Sequence, residues 1–293
     1  MIVFVAGGTG YIGRHVIDQL IKDGYRVRVL VRKGSEGKVN NKLAEIVYGD
    51  IDHPNTLNGV LDECDAVIYL IGLIREFPSR NITFENAHVK GVRYLLERAV
   101  ASGVKRWIHI SANGVKPDTP YGYIKTKYRA EEFIKAQDIN YTILRASVVF
   151  GEETDDTINF VNTVKDTIKL MPLFVPIIGN GEYKLQPLHV NDLSKVISTI
   201  IDKPFTFNKT YNLCGKKVVS YNEIIDIITQ KYNLKKKIKI HIPVSLVKLF
   251  AMVFQGIESF PITVEQINML TGGNTCNDAY LFEELGIIPK EFY

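Results

Sequence analysis

The chain opens with MIVFVAGGTGYIGRHVIDQLIKDG (residues 1–24), in which an apolar run, a glycine-rich turn and a helical pattern follow one another directly. Glycines at the spacing found in this turn permit a tight bend and let the backbone approach a pyrophosphate. The pyrophosphate would lie at the positive end of the following helix, among N–H groups without helical partners. We therefore predict a dinucleotide-binding strand–turn–helix unit, the alternative being a glycine turn that serves only packing. The predicted contacts are Gly7, Gly8, Thr9, Gly10, Tyr11, Ile12 and Gly13.

Short apolar runs and longer helical patterns alternate through the first 150 residues. Strands are predicted at 2–6, 26–31, 44–48, 66–71, 107–111 and 141–144, and long helices at 11–23 and 85–102. Apolar strands that alternate with amphipathic helices are typical of a parallel sheet covered on both faces. The predicted fold class is therefore α/β, a Rossmann-type doubly wound parallel sheet.

The second half of the chain is rich in proline and glycine over 172–187 and then mainly helical in pattern. Helix-start signals recur there, as two capping boxes and a proline: Ser220-x-x-Glu223, Thr263-x-x-Gln266 and Pro243. We predict a dinucleotide-binding domain over 1–150, to which 187–215 returns. Residues 151–186 and 216–293 would form a smaller, mostly helical C-terminal cap that contacts the substrate.

Composition excludes several classes of protein. With 293 residues, 46% hydrophobic and 23% charged, the chain is globular in composition rather than disordered or collagen-like. The net charge of +4 is too balanced to indicate a nucleic-acid partner. Three scattered cysteines, Cys64, Cys214 and Cys276, form no CxxC motif and no even framework, which favours a reducing compartment. Since no stretch has the length of a transmembrane or signal segment, we expect a cytoplasmic protein, with a membrane-peripheral position left open.

The end of the second predicted strand bears on the choice of cofactor. An NAD site is expected to place an acidic side chain there for the ribose 2′-hydroxyl, but the strand ends with Arg32 and Lys33. Arg32 could pair with a 2′-phosphate through its planar guanidinium, and Lys33 could add charge. We therefore predict NADP(H) over NAD(H). Glu36 nearby keeps NAD(H) open, and a solvated basic loop is the alternative.

A candidate catalytic set follows the fifth predicted strand. Ser111 lies at its carboxyl end, where ligands bind in such folds. Tyr123 and Lys127 are four residues apart and so share one face of the next helix. We expect the lysine to lower the pKa of the phenol, which would then exchange a proton during hydride transfer, while Ser111 holds the substrate oxygen. The pair Tyr121-x-x-x-Lys125 fits the same spacing, and a surface pair on an amphipathic helix is the alternative.

These residues together resemble the extended and atypical short-chain dehydrogenase/reductases, which are NAD-dependent epimerase/dehydratase-like proteins. The resemblance implies that Tyr123 is the acid/base and that Lys127 binds ribose. It further implies that Asp50 and Ile51 contact adenine and that Gly72 lines the nucleotide. One departure is His88, in His88-Val-Lys-Gly91, where the family commonly has an asparagine that supports a proton relay. An imidazole can donate or accept, so a relay through His88 stays open.

Later motifs narrow the resemblance to the atypical group of the complex I NADP(H)-binding accessory subunit and its bacterial relatives, with NmrA-like sensors more distant. They are RASVVFG (145–151), PLHVND (187–192), YNLCG (211–215) and ITVEQINML (262–270). In that subunit the nucleotide is held without known turnover. The resemblance therefore implies a non-catalytic holding subunit, assembly factor or redox sensor, in contact with complex I or a membrane, as the alternative to an oxidoreductase.

A basic run over 235–239 precedes an apolar stretch over 244–254. This combination fits a membrane surface or an apolar substrate, but we favour a core helix of the cap beside solvated lysines. The histidines have no metal-ligand spacing, and we expect each to be satisfied by a hydrogen bond, with no metal site. The leading hypothesis is thus an oxidoreductase that transfers hydride between NADP(H) and the carbonyl or alcohol group of a small molecule. An apolar substrate is one option. A sugar-nucleotide epimerase is the third hypothesis.

Overall fold

A computed structural model of the chain describes residues 1–151, 159–257, 260–276 and 280–293. Within them, the strands are β1 Ile2–Ala6, β2 Arg26–Val31, β3 Glu45–Tyr48, β4 Ala66–Tyr69, β5 Arg106–Ala112, β6 Asn140–Ala146, β7 Val149–Phe150, β8 Phe174–Ile178, β9 Lys184–Leu185, β10 Leu188–His189, β11 Lys209–Leu213, β12 Val219–Ser220 and β13 Ile238–Ile242. The α-helices are α1 Tyr11–Lys22, α2 Gly91–Ala101, α3 Gly122–Lys135, α4 Phe160–Leu170, α5 Val190–Thr199, α6 Tyr221–Lys231, α7 Val244–Phe254, α8 Val264–Thr271 and α9 Leu281–Glu284. A π-helix, Glu85–Lys90, runs directly into α2.

The chain divides into two compact units. The first comprises Met1–Ala146, Val190–Leu213 and Ala279–Ile288, and the second Ser147–His189, Cys214–Asp278 and Pro289–Tyr293. Residues 280–288 therefore group with the first unit, although all of 216–293 was predicted to belong to the cap.

The first unit is built on a seven-stranded sheet in the order β11-β6-β5-β4-β1-β2-β3, with every neighbouring pair parallel. Strands such as β1 and β4 are buried along their whole length, which explains their continuous apolar sequences. The predicted Rossmann-type fold class is confirmed. Because the chain order reverses between β1 and β4, a crevice is expected at the carboxyl ends of these two strands, where doubly wound sheets bind ligands.

One face of this sheet carries a hydrophobic core cluster. Trp107 and Tyr69 are fully buried and stacked with ring centroids 5.8 Å apart. Leu95 and Leu96 of α2 pack into the same cluster. The Tyr69 hydroxyl donates a 2.7 Å hydrogen bond to the carbonyl of Ala87, so the strand and the π-helix are joined by a polar contact as well as by packing.

The second unit combines helices α4, α6, α7 and α8 with short two-stranded pairings such as β8–β13 and β9–β12. Both predicted capping boxes are present: Ser220 and Glu223 at the start of α6, and Thr263 and Gln266 at the start of α8. Its core lies between α4 and α6. No helix among the described residues is both long and apolar enough to cross a bilayer.

Two predictions for this unit were wrong. Cys214 and Cys276 form a disulfide with Cα atoms 5.9 Å apart, although they are 62 residues apart in sequence. Cysteine spacing does not predict this pairing, because the pairing depends on tertiary contacts. Cys64 is a free, buried thiol. Helix α7 is also not a core helix, since Ala251 is its one buried residue.

Candidate active site

The glycine loop, residues 7–13, lies at the carboxyl end of β1. Gly7 has φ +93°, and a Cβ atom there would lie 2.9 Å from the backbone nitrogen of Ile71. A Cβ on Gly13 would lie 2.2 Å from the carbonyl oxygen of Gly7. Neither position can hold a side chain without moving backbone, so the close approach of loop, helix and neighbouring strand requires glycine.

Helix α1 begins within this stretch, at Tyr11, with Gly10 as its N-cap residue. Gly10 provides no side-chain cap, and the first turn carries no acidic side chain. The partial positive charge at the helix N-terminus is therefore not balanced by the helix itself, which favours an anion at this point. Of the other predicted contacts, Thr9, Tyr11 and Ile12 lie half-buried in the same loop and first turn.

Arg32 and Lys33 follow β2 and are both exposed. Asp50 and Ile51 follow β3, and β2 and β3 are parallel neighbours, so all four residues lie at the carboxyl edge of the sheet. The Asp50 carboxylate accepts a hydrogen bond from the N–H of Asp52. Burial raises the pKa of Asp52, and the nearby charge of Arg32 opposes that rise. Arg32 is thus close to the predicted adenine contact.

Glu36, which kept NAD(H) open in the sequence analysis, is engaged by its own loop. Its carboxylate accepts a 3.0 Å hydrogen bond from the N–H of Gly34. Backbone hydrogen bonds of this kind lower the pKa of Glu36. An acidic side chain is therefore present beyond β2, but it serves to close the turn.

Three elements converge at Gly72. A Cβ atom on Gly72 would lie 3.5 Å from Nζ of Lys127 on α3 and 3.9 Å from Nε2 of His88 on the π-helix. Lys127 is 4% exposed, and its ammonium donates a 3.0 Å hydrogen bond to the carbonyl of Ile110. Burial lowers the pKa of Lys127 to about 8, although the carboxylate of Glu131 opposes this. The structure therefore brings Gly72, Lys127 and His88 together.

Tyr123 lies one turn before Lys127 on α3, and its ring meets those of His88 and Phe84 edge-on at 5.3 and 5.7 Å. Burial raises the pKa of Tyr123 to about 12. The expectation that Lys127 lowers this pKa was therefore wrong, because desolvation of the phenolate dominates. In the alternative pair, Lys125 is exposed, whereas Lys127 is buried.

Ser111 is placed differently from the sequence expectation. Its hydroxyl donates a 2.5 Å hydrogen bond to the carboxylate of Glu131, which is fully buried. Glu131 also accepts hydrogen bonds from the guanidinium of Arg145, the shortest at 2.6 Å. Glu131 lies eight residues beyond Tyr123 on the same helix, a rise of about 12 Å. The hydroxyl hydrogen of Ser111 is thus donated to the Glu131–Arg145 ion pair, about two helical turns from Tyr123.

His88 joins three segments through both ring nitrogens. Nε2 accepts a hydrogen bond from the N–H of Leu73 at 3.0 Å, so the ring proton resides on Nδ1, 3.0 Å from the hydroxyl of Thr126. Thr126 in turn donates to the carbonyl of Gly122. Burial lowers the pKa of His88 to about 2, and the charge of Lys127 adds to the effect. His88 is therefore a fixed neutral bridge, and the sequence analysis missed its partner Thr126.

His109, on β5, is fully buried and stacks on Tyr69 with ring centroids 5.6 Å apart. Neither ring nitrogen has a hydrogen-bond partner among the described residues, so the expectation of a satisfied histidine was wrong here. Burial, and secondarily the charge of Lys127, holds the pKa of His109 well below its ordinary value. His109 is therefore a neutral, buried ring near Lys127.

Comparison with known proteins identifies the family. A model of the NAD dependent epimerase/dehydratase family matches residues 3–214, which is most of the chain. The chain belongs to this family. The resemblance drawn from the glycine loop, Tyr123 and Lys127 is thereby confirmed. The match includes the glycine loop, Lys127 and all seven strands of the central sheet.

Proteins similar to this chain include an NADH dehydrogenase subunit, a reductase and an epimerase. The alpha subcomplex subunit 9 of mitochondrial NADH dehydrogenase from Dictyostelium discoideum is 29% identical, over 84% of this chain and 67% of its own. A ceramide reductase from Caulobacter vibrioides is 30% identical, over 54% of this chain and 49% of its own. A UDP-glucose 4-epimerase from Thermotoga maritima, solved with UDP-glucose, has the same fold, with a TM-score of 0.75 and 20% identity over 100% of this chain and 94% of its own.

Proposed function

We propose that the chain is an NADP(H)-dependent oxidoreductase that reduces the carbonyl group of a small molecule, with Tyr123 as the catalytic residue. The observation that carries this proposal is the placement of Lys127. A buried ammonium lies beside Gly72, just past the end of β4, and β4 is the sheet neighbour of the strand that leads into the glycine loop. A cation so poorly solvated is expected where a ligand supplies further hydrogen-bond acceptors.

The residues present fit a nicotinamide dinucleotide. The glycine loop would hold the diphosphate against the N-terminus of α1, whose charge is not balanced by an acidic first turn. Asp50 and Ile51 would contact adenine, Arg32 and Lys33 a 2′-phosphate, and Lys127 with Gly72 the ribose next to nicotinamide. When bound, this cofactor supplies the hydride for the carbonyl carbon.

Tyr123 would supply the proton. Because its pKa is about 12, the phenol stays protonated at neutral pH and can donate to a substrate oxygen as that oxygen gains negative charge. Ser111 takes no direct part in this scheme, since its hydroxyl is donated to Glu131. Ser111, Glu131 and Arg145 are then structural, and they fix the far half of α3 on the sheet.

The alternative is a nucleotide-holding protein without turnover. The use of Ser111 within an ion pair favours it, because no hydroxyl of β5 is then assigned to hold the substrate. The relative named as a subunit of mitochondrial NADH dehydrogenase favours it too. The relative named ceramide reductase favours the reductase and an apolar substrate, with the match limited to about half of the chain.

Nucleotide binding tests the part that both functions share. Protein stripped of carried-over nucleotide is titrated with NADPH and NADH by fluorescence. We expect preference for NADPH, with an affinity that falls about tenfold in Arg32→Ala, since an exposed guanidinium–phosphate pair contributes about 1.4 kcal/mol. The matched control is Arg26→Ala, because Arg26 is exposed at the start of β2 whereas Arg32 follows its end. This control should leave the affinity unchanged. Binding of neither nucleotide would refute both functions.

Turnover separates the two functions. NADPH oxidation is followed with a panel of carbonyl compounds that includes long-chain ketones. We expect Tyr123→Phe to keep NADPH affinity and to lose at least about 100-fold in turnover, whereas Tyr121→Phe keeps both. If wild-type protein binds NADPH tightly but oxidises it with no member of the panel, the holding function is the one supported.

A further inference from the structure

Helix α7 presents an apolar stripe to solvent. Leu246, Leu249, Phe250 and Val253 recur at the i, i+3, i+4, i+7 spacing of one helical face. They are 43%, 57%, 52% and 68% exposed, respectively. In a helix of a globular protein this spacing marks the side that faces the core, but here it marks the side that faces away from it. We call these four residues the apolar stripe.

The opposite side of α7 is the one that packs onto the second unit. Ala251 is fully buried, and Val244 and Val247 are half-buried. The helix is thus apolar on both sides, and only one side is covered. Just beyond the stripe, Met252 and Ile257 are also more than half exposed. A contiguous apolar surface of this kind marks an interaction site when it is found on a folded protein.

The charged side chains within the segment that carries the stripe are of one sign. Residues 227–257 include six lysines and neither aspartate nor glutamate. Lys237 and Lys239 are used inside the unit, by the carbonyl of Ile168 and by Asp226 respectively. Lys235 and Lys236 are exposed, whereas Lys248 is half-buried and lies on the covered side of α7, with Val244 and Ala251. The lysine run is therefore not uniformly solvated, in contrast to the prediction from the sequence. Lys237 and Lys239 make internal contacts, and Lys235 and Lys236 remain exposed as positive charges.

We propose that α7 docks this protein on an anionic phospholipid surface, with the apolar stripe at the level of the upper acyl chains and the lysines among the headgroups. At 11 residues the helix is about 16 Å long, against about 30 Å for a bilayer core, so it lies in the plane of the interface. Anionic lipid is chosen over a protein partner because the segment that carries the exposed apolar side chains, residues 227–257, contains lysines but no acidic residue. The proposal does not depend on the proposed reductase activity.

Vesicle co-sedimentation of the full chain tests the proposal. We expect binding to vesicles of phosphatidylcholine with 30% phosphatidylglycerol, weak or no binding to phosphatidylcholine alone, and release by salt. Leu249→Glu/Val253→Glu should weaken binding at least tenfold, because two carboxylates then enter the stripe. The control, Leu43→Glu/Val218→Glu, changes two exposed apolar residues elsewhere, which are 77% and 46% exposed, and should bind like wild type.

Two further measurements keep the test interpretable. Unchanged thermal unfolding of Leu249→Glu/Val253→Glu shows that the variant is folded, as expected for exposed positions. Lys235→Ser/Lys236→Ser should weaken binding to the anionic vesicles and reduce its salt dependence. Absence of wild-type binding to anionic vesicles, or equal binding by wild type and the stripe variant, overturns the proposal. So does a wild-type dimer that the stripe variant dissociates without vesicles present, since the stripe is then an interface between copies.

Discussion

The buried ammonium of Lys127 is expected to destabilise the protein, and replacing it with methionine should raise the free energy of unfolding at neutral pH. Methionine matches the apolar stem of lysine and removes the charge. Lys127 is 4% exposed, and burial lowers its pKa from 10.5 to about 8. The unfolded chain therefore binds this proton more tightly than the folded chain does.

The magnitude follows from that pKa. One pKa unit corresponds to about 1.4 kcal/mol, so the charged form costs the folded protein about 3 kcal/mol. Loss of the hydrogen bond to the Ile110 carbonyl destabilises the variant by about 1 kcal/mol. Lys127→Met is therefore expected to be more stable than wild type by about 2 kcal/mol at pH 7. The cost applies in full below pH 8 and disappears as the pH rises from 8 to 10.5, because the folded lysine then loses its charge. The advantage of Lys127→Met, about 2 kcal/mol at pH 7, should therefore be lost by pH 10.

The assay is urea unfolding of nucleotide-free wild type and Lys127→Met at several pH values across this range. Groups common to both proteins cancel in the difference, and Lys125→Met, on an exposed position of the same helix, shows no pH-dependent difference from wild type. A difference between Lys127→Met and wild type that stays constant from pH 7 to pH 10 would refute the reasoning. It would mean that water reaches the ammonium in the folded protein.

Three further predictions concern other parts of the molecule. Burial lowers the pKa of His88 from 6.5 to about 2, so the full stability is present above pH 6.5 and is lost progressively as the pH falls below it. By pH 4.5 acid should cost wild type about 3 kcal/mol more than His88→Gln, while exposed His241→Gln behaves like wild type in urea unfolding. Gly13→Ala should weaken NADPH binding at least about tenfold in the fluorescence titration, whereas Gly256→Ala, whose Cβ would meet no atom within 4 Å, should leave it unchanged. Reducing the disulfide of the second unit should lower the free energy of unfolding by about 4 kcal/mol, since it closes a loop of 62 residues; identical urea curves with and without reductant would contradict this.

The fold of the first unit was predictable because its signals are local. The strand at 2–6 and the strand at 26–31 were located to the residue, since the first is an apolar run that ends at glycine and the second alternates arginine with valine before an apolar end bounded by Arg32 and Lys33. The pairing of Cys214 with Cys276 was not predictable, because it depends on contacts across 62 residues. The exposure of α7 was missed for a related reason: apolar composition predicts a covered helix but does not say what covers it.

In the candidate site, spacing predicted which residues share a helix face but not what surrounds them. The four-residue spacing of Tyr123 and Lys127 placed both on α3 correctly. Strand alternation could have warned about Ser111, which has the same parity as Trp107 and so faces the helix-covered core. The direction of the tyrosine pKa was missed because desolvation depends on burial, which a motif does not encode.

Burial moves both reactive groups toward their neutral forms, and this bears on the direction of the proposed reaction. Lys127 falls to a pKa of about 8 and Tyr123 rises to about 12. A gap of about four pKa units means that transfer of the phenol proton to the neutral amine costs about 5 kcal/mol. The tyrosine therefore keeps its proton until a stronger base forms beside it, and an alkoxide produced by hydride addition to a carbonyl is such a base. The same arrangement makes Tyr123 a poor base toward an alcohol at neutral pH, which favours carbonyl reduction over alcohol oxidation.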